Sequence, residues 1–243
     1  MKYVFSAICY LFLTSPALFA QGLEIRPLTG DFYIYTTYRA YNGNLVPSNG
    51  MYVLTSEGTI LLDTPWDTTQ VVPLLDSIRA KHNQRVIFSV STHSHADRTA
   101  GLEILARQGV QTYSSLQTFE LCAIQHEKQA THYFKSDTTF TLGQHTFSTF
   151  YPGKGHAPDN IVIWFDQQKI LYGGCFVKST EAVDLGYTGD ADLNAWQQSV
   201  QKTISKFKKP HFVIPGHQGW ANRRSLQHTL KLIRKGLKEK SAR

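Results

Sequence analysis

The sequence of 243 residues has little of several features that mark specialised protein classes. Three cysteines are too few for a disulfide scaffold. Hydrophobic residues make up 42% and charged residues 18%, with no low-complexity stretch or close internal repeat, which excludes a disordered or repeat protein. After the first 20 residues, no apolar run is long enough to cross a membrane. These absences leave an ordinary globular chain.

The positive charge is concentrated in one terminal segment. The formal net charge is +7, and residues 223–243 hold eight of the 25 Lys and Arg but only one of the 18 acids. Four apolar residues recur there at helical spacing, namely Leu226, Leu230, Ile233 and Leu237. They predict an amphipathic helix with a solvated basic face. The rest of the chain has balanced charge, so we expect no nucleic-acid partner; weak attraction of this helix to anionic membranes remains open.

Residues 1–20, MKYVFSAICYLFLTSPALFA, have the three-part pattern of a secretory signal peptide. Lys2 precedes an apolar run, and Pro16 is followed by small residues up to Ala20. We expect cleavage after Ala20, leaving a monomeric, periplasmic single domain in residues 21–243. The apolar run is short for a membrane span, so we expect no stable insertion, with a retained anchor as the alternative.

The mature chain keeps two cysteines, which an exported protein could join in a disulfide. Cys122 lies in the apolar, helical-looking LQTFELCAIQ, whereas Cys175 lies in a Gly-rich turn after a strand. A free thiol packs well in the first setting, so we expect two free thiols rather than a disulfide.

Apolar periodicity predicts strands and helices in both halves of the chain. The predicted strands are Asp31–Arg39, Met51–Ser56, Thr59–Asp63, Val86–Ser91, Phe147–Phe150, Ile161–Phe165, Lys169–Tyr172 and His211–Ile214. The predicted helices are Thr68–His82, Gly101–Gln108, Ser115–Gln129, Asp192–Phe207 and Arg224–Lys240. The first strands should form an antiparallel meander. Strand-rich halves that each close with helices predict two sheets packed face to face with helices outside.

The segment Tyr41–Gly50, YNGNLVPSNG, stands out between two predicted strands. It contains Asn-Gly twice, with apolar Leu45 and Val46 between. An exposed apolar tip is unusual for a plain turn, so we expect a loop that can cover a ligand, with an ordinary long hairpin as the alternative.

The residues with the most specific chemistry lie in STHSHADRTAG, which directly follows a buried strand. His93 and His95 are two residues apart, so in an extended segment both imidazoles can face one point. Because the chain begins to turn after His95, the carboxylate of Asp97 can face a position next to the one that the two imidazoles face. Imidazole and carboxylate suit zinc, and less selectively iron or copper.

Three further candidate ligands also lie at the ends of predicted strands: His156 in PGKGHAPDN, Cys175 in LYGGCFVK and His217 in IPGHQGW. Two glycines before Cys175 allow a sharp turn that points its thiolate back. Each residue alone could be an ordinary loop histidine or an inert thiol. Their shared placement at strand ends, together with the first cluster, predicts a metal centre.

Six such ligands divide into two zinc sites. Three imidazoles, from His93, His95 and His156, leave a fourth tetrahedral position open. Asp97, Cys175 and His217 form a mixed second site. Zinc lowers the pKa of bound water to about 7 and so supplies hydroxide at neutral pH.

Two zinc ions leave such a site net positive, which favours anionic substrates. Lys178 can hold a substrate carboxylate, unless it is a solvated surface lysine. Asp63 is a candidate hydrogen-bond partner of a zinc-bound imidazole, or else caps a turn.

The motifs HSHAD, GKGHAPDN, GGCFVK and PGHQGW occur in the order found in the metallo-β-lactamases, and the chain resembles that family over nearly its whole mature length. LLDTPWD, which contains Trp66, looks like the end of the family's first-half strand. Arg98 and Cys175 resemble the dizinc subclass with a Cys ligand rather than glyoxalase-type or nuclease-type members. The resemblance implies a four-layer αββα sandwich of two mixed sheets, with the zinc sites at one edge.

The resemblance also implies roles for particular residues. Hydroxide generated on zinc would hydrolyse the β-lactam of penicillins, cephalosporins and carbapenems, with Asp97 orienting it. Lys178 would bind the substrate carboxylate, and the Tyr41–Gly50 segment would close over the drug, with Trp66 among the substrate contacts. Many members have Asn at the position of Tyr187; this chain lacks that amide, so zinc alone would polarise the lactam carbonyl. The alternatives are a metallo-hydrolase acting on a thioester or lactone, and a periplasmic zinc-binding protein without catalysis.

Overall fold

The structure, a computed structural model, describes residues 22–241. The predicted signal peptide, its cleavage point and Cys9 lie outside the described residues. The first sheet has seven strands that follow chain order. They are β1 (Glu24–Thr29), β2 (Phe32–Tyr41), β3 (Asn44–Thr55), β4 (Gly58–Leu62), β5 (Val86–Val90), β6 (Gln111–Ser115) and β7 (His132–Phe134). Strands β2 to β4 form the predicted antiparallel meander, β1 extends it by pairing antiparallel with β2, and β4 to β7 are mutually parallel.

The second sheet has five strands in the order β12-β11-β10-β9-β8. They are β8 (Thr139–Leu142), β9 (His145–Phe150), β10 (Val162–Phe165), β11 (Ile170–Gly174) and β12 (Phe212–Pro215). The predicted pairing of β10 with β11 across the turn at residues 166–169 is confirmed. Strands β11 and β12 are parallel, so this sheet is mixed as well.

Six α-helices complete the described chain: α1 (Val71–His82), α2 (Ala96–Thr99), α3 (Leu102–Arg107), α4 (Leu116–Ile124), α5 (Leu193–Lys206) and α6 (Ser225–Ser241). Pro73 is the third residue of α1, where its missing N–H costs no helical hydrogen bond. Asp192 caps α5 by accepting a 3.0 Å hydrogen bond from the amide of Ala195. None of the helices in residues 22–241 is long and apolar enough to cross a membrane.

The sheets pack face to face, and the helices cover their outer faces. Aromatic rings meet between the sheets, with Phe32 of β2 lying 4.9 Å from Phe165 of β10. Helix α1 packs on the first sheet, and α5 and α6 pack on the second, where Ile233 is fully buried. The predicted αββα sandwich is therefore confirmed, as is the amphipathic character of the terminal helix.

The segment Tyr41–Gly50 is not a loop. Strand β2 continues to Tyr41, β3 starts at Asn44, and the two residues between them form the whole turn. Asn42 and Gly43 both have positive φ, 47° and 75°, as a two-residue Asn-Gly hairpin turn requires. The paired strands satisfy each other's backbone groups, so the segment is a long hairpin whose tip carries Leu45.

Other element predictions also differ from the structure. The helix predicted over Ser115–Gln129 ends at Ile124, and Ser115 is its N-cap. Strands β1, β6, β7 and β8 were not predicted, because their short or polar-rich sequences lack an apolar run. Parallel pairing with a buried neighbour makes β6 a strand despite its sequence QTYSS.

Strand direction brings the ends of five strands to one edge of the sandwich. In the first sheet, β4 and β5 are parallel and end there. In the second sheet, β9 and β11 are both antiparallel to β10, and β12 is parallel to β11, so these three strands also end together. The hairpin of β2 and β3 extends past this edge. Segments that follow these strands are therefore close in space although far apart in sequence.

Candidate metal centre

Three imidazoles meet at this edge. His93 and His95 lie in the short segment between β5 and α2, with the backbone extended at His95, and His156 lies in the connection between β9 and β10. Their ring centroids are 4.6 to 5.1 Å apart, and Nε2 of His93 lies 3.1 Å from Nδ1 of His95. One nitrogen from each ring lies within 4.8 Å of the other two. The three side chains can therefore bind one ion.

Burial keeps two of these imidazoles, His93 and His156, uncharged. It lowers the pKa of His93 well below its usual value, and nearby His95 adds to the effect. Burial also lowers the pKa of His156 well below its usual value, with a further contribution from the positive charge of Lys178. Neutral imidazoles keep a lone pair, which is the form that binds a metal.

A second group lies beside the first and is built from different donors. Sγ of Cys175 lies 3.1 Å from Oδ2 of Asp97 and 3.2 Å from Nε2 of His217, and the last two atoms are 3.0 Å apart. Nδ1 of His217 is 2.7 Å from the carbonyl oxygen of Pro47, which accepts its proton and leaves Nε2 for a metal. Oδ1 of Asp97 lies 4.0 Å from Nε2 of His93, so this carboxylate adjoins both groups.

The donors of the two groups fit zinc. Tetrahedral zinc holds nitrogen, oxygen and sulfur ligands at about 2.0–2.3 Å, which places neighbouring donor atoms roughly 3.3–3.8 Å apart. The separations of 3.0 to 3.2 Å in the second group are close to this range. Three imidazoles in one group, and a thiol, a carboxylate and an imidazole in the other, are donor types that zinc prefers.

Cys175 owes its position to the turn that ends β11. Gly174 has φ +51°, a conformation that disfavours residues with a Cβ, and the chain reverses there as the sequence predicts. The thiol is almost completely buried, and burial raises its pKa while the Arg98 charge opposes the rise. Within residues 22–241 both Cys122 and Cys175 are free, as expected. The Cys122 thiol has a pKa raised by burial to about 12.

Arg98 is a residue whose role sequence reasoning missed. Its guanidinium is buried beneath the second group and donates to Oδ2 of Asp97 at 3.0 Å. It also donates to the carbonyl oxygens of Asn49 at 2.7 Å and Gly216 at 2.9 Å. Burial alone would raise the pKa of Asp97, but the Arg98 charge holds it well below its usual value. The only signal in the sequence was a basic residue directly after the carboxylate.

Asp63 does not contact an imidazole, so that prediction is wrong. It is fully buried, and its carboxylate accepts hydrogen bonds from the amide of Thr92 at 2.7 Å and from the hydroxyl of Tyr172 at 2.7 Å. Thr92 directly precedes His93, and its hydroxyl lies 3.3 Å from Nδ1 of that imidazole. Asp63 thus holds the segment that carries the imidazoles rather than an imidazole itself.

The predicted substrate-contacting residues lie around the metal-binding groups. Lys178 is only 9% exposed, with Nζ 5.4 Å over the ring of Trp196. Trp66 is half-buried after β4 and contacts the hairpin near its tip, where the Arg39 guanidinium lies 4.9 Å over its ring and the Tyr41 ring centroid is 5.4 Å away. Leu45 is exposed near the hairpin tip, and Val46 is half-buried.

Tyr187 and Asp190 lie on the open side of the imidazole group. Nε2 of His95 is 2.9 Å from Oδ2 of Asp190, a contact that no pattern in the sequence indicated. The exposed Tyr187 directs its hydroxyl to the same carboxylate oxygen, at 3.3 Å, and its ring lies edge-on to His95 with a centroid distance of 5.6 Å.

Comparisons with known proteins agree with this geometry. Residues 43–217 match the model of the metallo-beta-lactamase superfamily. The chain is 37% identical to a metallo-beta-lactamase type 2 of Elizabethkingia meningoseptica, covering 96% of this chain and 94% of that protein. It is 33% identical to one of Bacteroides fragilis, covering 96% of each. A solved metallo-beta-lactamase from Pontibacter korlensis superposes with a TM-score of 0.85 at 39% identity, covering 87% of this chain and 99% of that one. The chain therefore belongs to the metallo-beta-lactamase superfamily.

Proposed function

We propose that this protein hydrolyses the β-lactam amide bond of penicillins, cephalosporins and carbapenems and so confers antibiotic resistance. The observation that carries the proposal is the meeting of an imidazole group and a Cys-containing group at one sheet edge. Relatives named metallo-beta-lactamases that align over nearly the whole chain support it.

The two groups would hold two zinc ions per chain. The first would be held by His93, His95 and His156, and the second by Asp97, Cys175 and His217. When bound, zinc acts as a Lewis acid and lowers the pKa of coordinated water, so that hydroxide is available at neutral pH.

Asp97 would orient the attacking water. Its Oδ2 is engaged by Arg98 and faces Cys175 and His217, whereas its Oδ1 faces the imidazole group. An ionised Oδ1 can accept a hydrogen bond from the water and direct a lone pair of the water oxygen at the lactam carbonyl carbon. No side chain forms a covalent intermediate in this scheme, so inhibitors directed at a catalytic serine should have no effect.

Lys178 would hold the carboxylate of the substrate. Its burial over Trp196 removes it from bulk water, which strengthens its attraction for an anion. Leu45 and Val46 on the hairpin, with Trp66 below them, would contact apolar parts of the drug. Tyr187 borders the same opening.

We also propose that the protein is exported. The pattern of residues 1–20 supports a signal peptide, and residues 21–243 would be a monomeric periplasmic domain. Periplasmic location places the enzyme where β-lactams must pass to reach their targets.

A steady-state panel of one penicillin, one cephalosporin and one carbapenem, with and without added zinc, tests the function. We expect turnover that exhaustive chelation abolishes and zinc restores. Activity that survives chelation would contradict the proposal. Turnover of a thioester or lactone without β-lactam hydrolysis would indicate a related metallo-hydrolase, and bound zinc without turnover would indicate a zinc-binding protein.

A further inference from the structure

We propose that Tyr187 is a positioning residue for the imidazole group, acting through Asp190 on His95, and not a donor to the substrate carbonyl. The proposal rests on metal binding by the imidazole group but not on the identity of the substrate.

The hydroxyl of Tyr187 makes a long hydrogen bond, 3.3 Å, to Asp190. It donates to Oδ2, the same oxygen that lies 2.9 Å from Nε2 of His95. A hydroxyl has one proton, so while it binds Asp190 it cannot also donate to a developing oxyanion on the substrate.

The same contacts determine which nitrogen of His95 binds metal. With its proton on Nε2 facing Asp190, the imidazole presents the lone pair of Nδ1, which lies 3.1 Å from Nε2 of His93. The ring of Tyr187 lies edge-on to that imidazole at 79° and limits its rotation. Asp190 is partly exposed, with 35% of its side-chain surface accessible, so without a second donor water would compete for its oxygens.

Gly189 allows this arrangement. A Cβ at Gly189 would lie 2.3 Å from the hydroxyl oxygen of Tyr187, which shows that the phenol folds back across the backbone of that residue. The φ of Gly189 is not positive, and the three atoms nearest to a Cβ at this position all belong to the Tyr187 phenol. Gly189→Ala should therefore displace the Tyr187 hydroxyl without changing Tyr187.

The experiment measures zinc affinity of the full chain by competition with a chromophoric chelator, in the absence of any β-lactam. Tyr187→Phe should weaken the tightest zinc site by about 3- to 10-fold, less than the roughly 10- to 100-fold for direct removal of an outer hydrogen-bond partner by Asp190→Ala. Gly189→Ala should match Tyr187→Phe. Tyr133→Phe, at another exposed tyrosine, is the matched control and should leave affinity unchanged.

A double-mutant cycle and an NMR signal isolate the route through Asp190. In the Asp190→Ala background, Tyr187→Phe should cause no further loss, because its effect passes through the missing carboxylate. Imidazole ¹H–¹⁵N correlations of the zinc-free protein should show His95 as the Nε2–H tautomer, with that signal weakened in both single variants.

Kinetics in saturating zinc distinguish a positioning role of Tyr187 from direct donation to the substrate carbonyl. A positioning residue predicts that excess zinc restores the kcat of Tyr187→Phe to near the wild-type value. Unchanged zinc affinity in Tyr187→Phe, or a kcat that stays low in saturating zinc, would overturn the proposal. If the wild type has no β-lactamase activity but the zinc results hold, the proposed function fails while the positioning role stands.

Discussion

The imidazole group and the Cys-containing group, the two halves of the candidate metal centre, share one edge of the sandwich but differ in how burial affects the charge of their side chains. The imidazole group consists of side chains of one type, two of which, His93 and His156, are kept neutral by burial. The Cys-containing group has a thiol whose pKa burial raises and a carboxylate whose pKa a buried arginine lowers. The two neutral imidazoles already have lone pairs that can bind a cation, whereas the Cys175 thiol must first lose its proton.

Burial therefore has opposite effects on metal binding by an imidazole and by a thiol. Burial disfavours the charged form of any group. The charged form of an imidazole cannot bind a metal, whereas the charged form of a thiol, the thiolate, is the form that binds one. Arg98 compensates in the second half, because its charge favours both the Asp97 carboxylate and the Cys175 thiolate. The imidazole half should therefore bind zinc first and more tightly, and the following predictions test this order.

The largest effect is expected from His156→Ala, which removes a ligand of the half that binds first. We expect zinc affinity and β-lactam turnover to fall by more than about 100-fold, beyond the loss for outer hydrogen-bond partners. Metal analysis and kinetics would measure this. His145→Ala is the control, since His145 is also buried but is bound to Asp31 far from the site; equal losses in both variants would contradict the assignment.

Arg98→Gln should destabilise the metal-free protein by about 3–5 kcal/mol, the usual loss when one partner of a buried charge network is removed. The variant leaves Asp63 and Asp97 buried without their counter-charge. Urea unfolding would measure the change, which should shrink in excess zinc because a cation then lies beside Asp97. The exposed pair of Arg107 with Glu103 supplies the control, where Arg107→Gln should cost at most about 1 kcal/mol. A similar loss in both variants would argue against the role of Arg98.

Cys175→Ser should weaken the second zinc while sparing the first, because only the Cys-containing half loses a ligand. We expect the zinc content of dialysed protein to fall from two towards one per chain. Cys122→Ser, at a buried thiol outside the site, should keep the full content. Unchanged stoichiometry in Cys175→Ser would remove this residue from the ligand set.

The last prediction concerns pH, for which the change per pH unit is smaller than the effects of the substitutions. Because the pKa of Cys175 is raised, its thiol is protonated at neutral pH and zinc must displace that proton. Affinity for the second zinc should therefore increase by up to about tenfold per pH unit between pH 7 and 9, while the first site changes less. Chelator competition at several pH values would measure both slopes, and equal slopes would mean that the two halves do not differ in proton release.

Much of the fold could be predicted because its central strands are apolar runs. TILLD and VIFSVS predict β4 and β5 almost to the residue, and the stripe of α6 predicts a docked amphipathic helix. Strands β6 and β7 could not be found this way, since β6 is polar and β7 has only three residues, and both become strands by pairing with a neighbour. The hairpin was missed for another reason: Asn42–Gly43 is a strong turn signal, but the apolar residues beside it suggested an irregular loop.

The candidate ligands could be read directly from the sequence, whereas their supporting residues could not. His93, His95 and Asp97 follow one another at intervals of two residues, and this spacing alone indicates that their side chains can lie close together. Asp190 and Arg98 have no such spacing, because their partners lie on other segments and each contact depends on how the two sheets pack. Pro47 contributes a backbone carbonyl, which any residue type could supply.

Sequence alone determined which chemical groups this protein possesses: the imidazoles, thiol and carboxylate of a candidate metal centre, in segments that follow strands. Local periodicity is enough to identify these groups, because a strand and the residues that follow it are adjacent in the sequence. The tertiary structure, and not the sequence pattern, sets the charge state of each group and the imidazole nitrogen that can face a metal. Those properties depend on burial and on partners that are distant in sequence, as Arg98 beneath Asp97 and Asp190 beside His95 show.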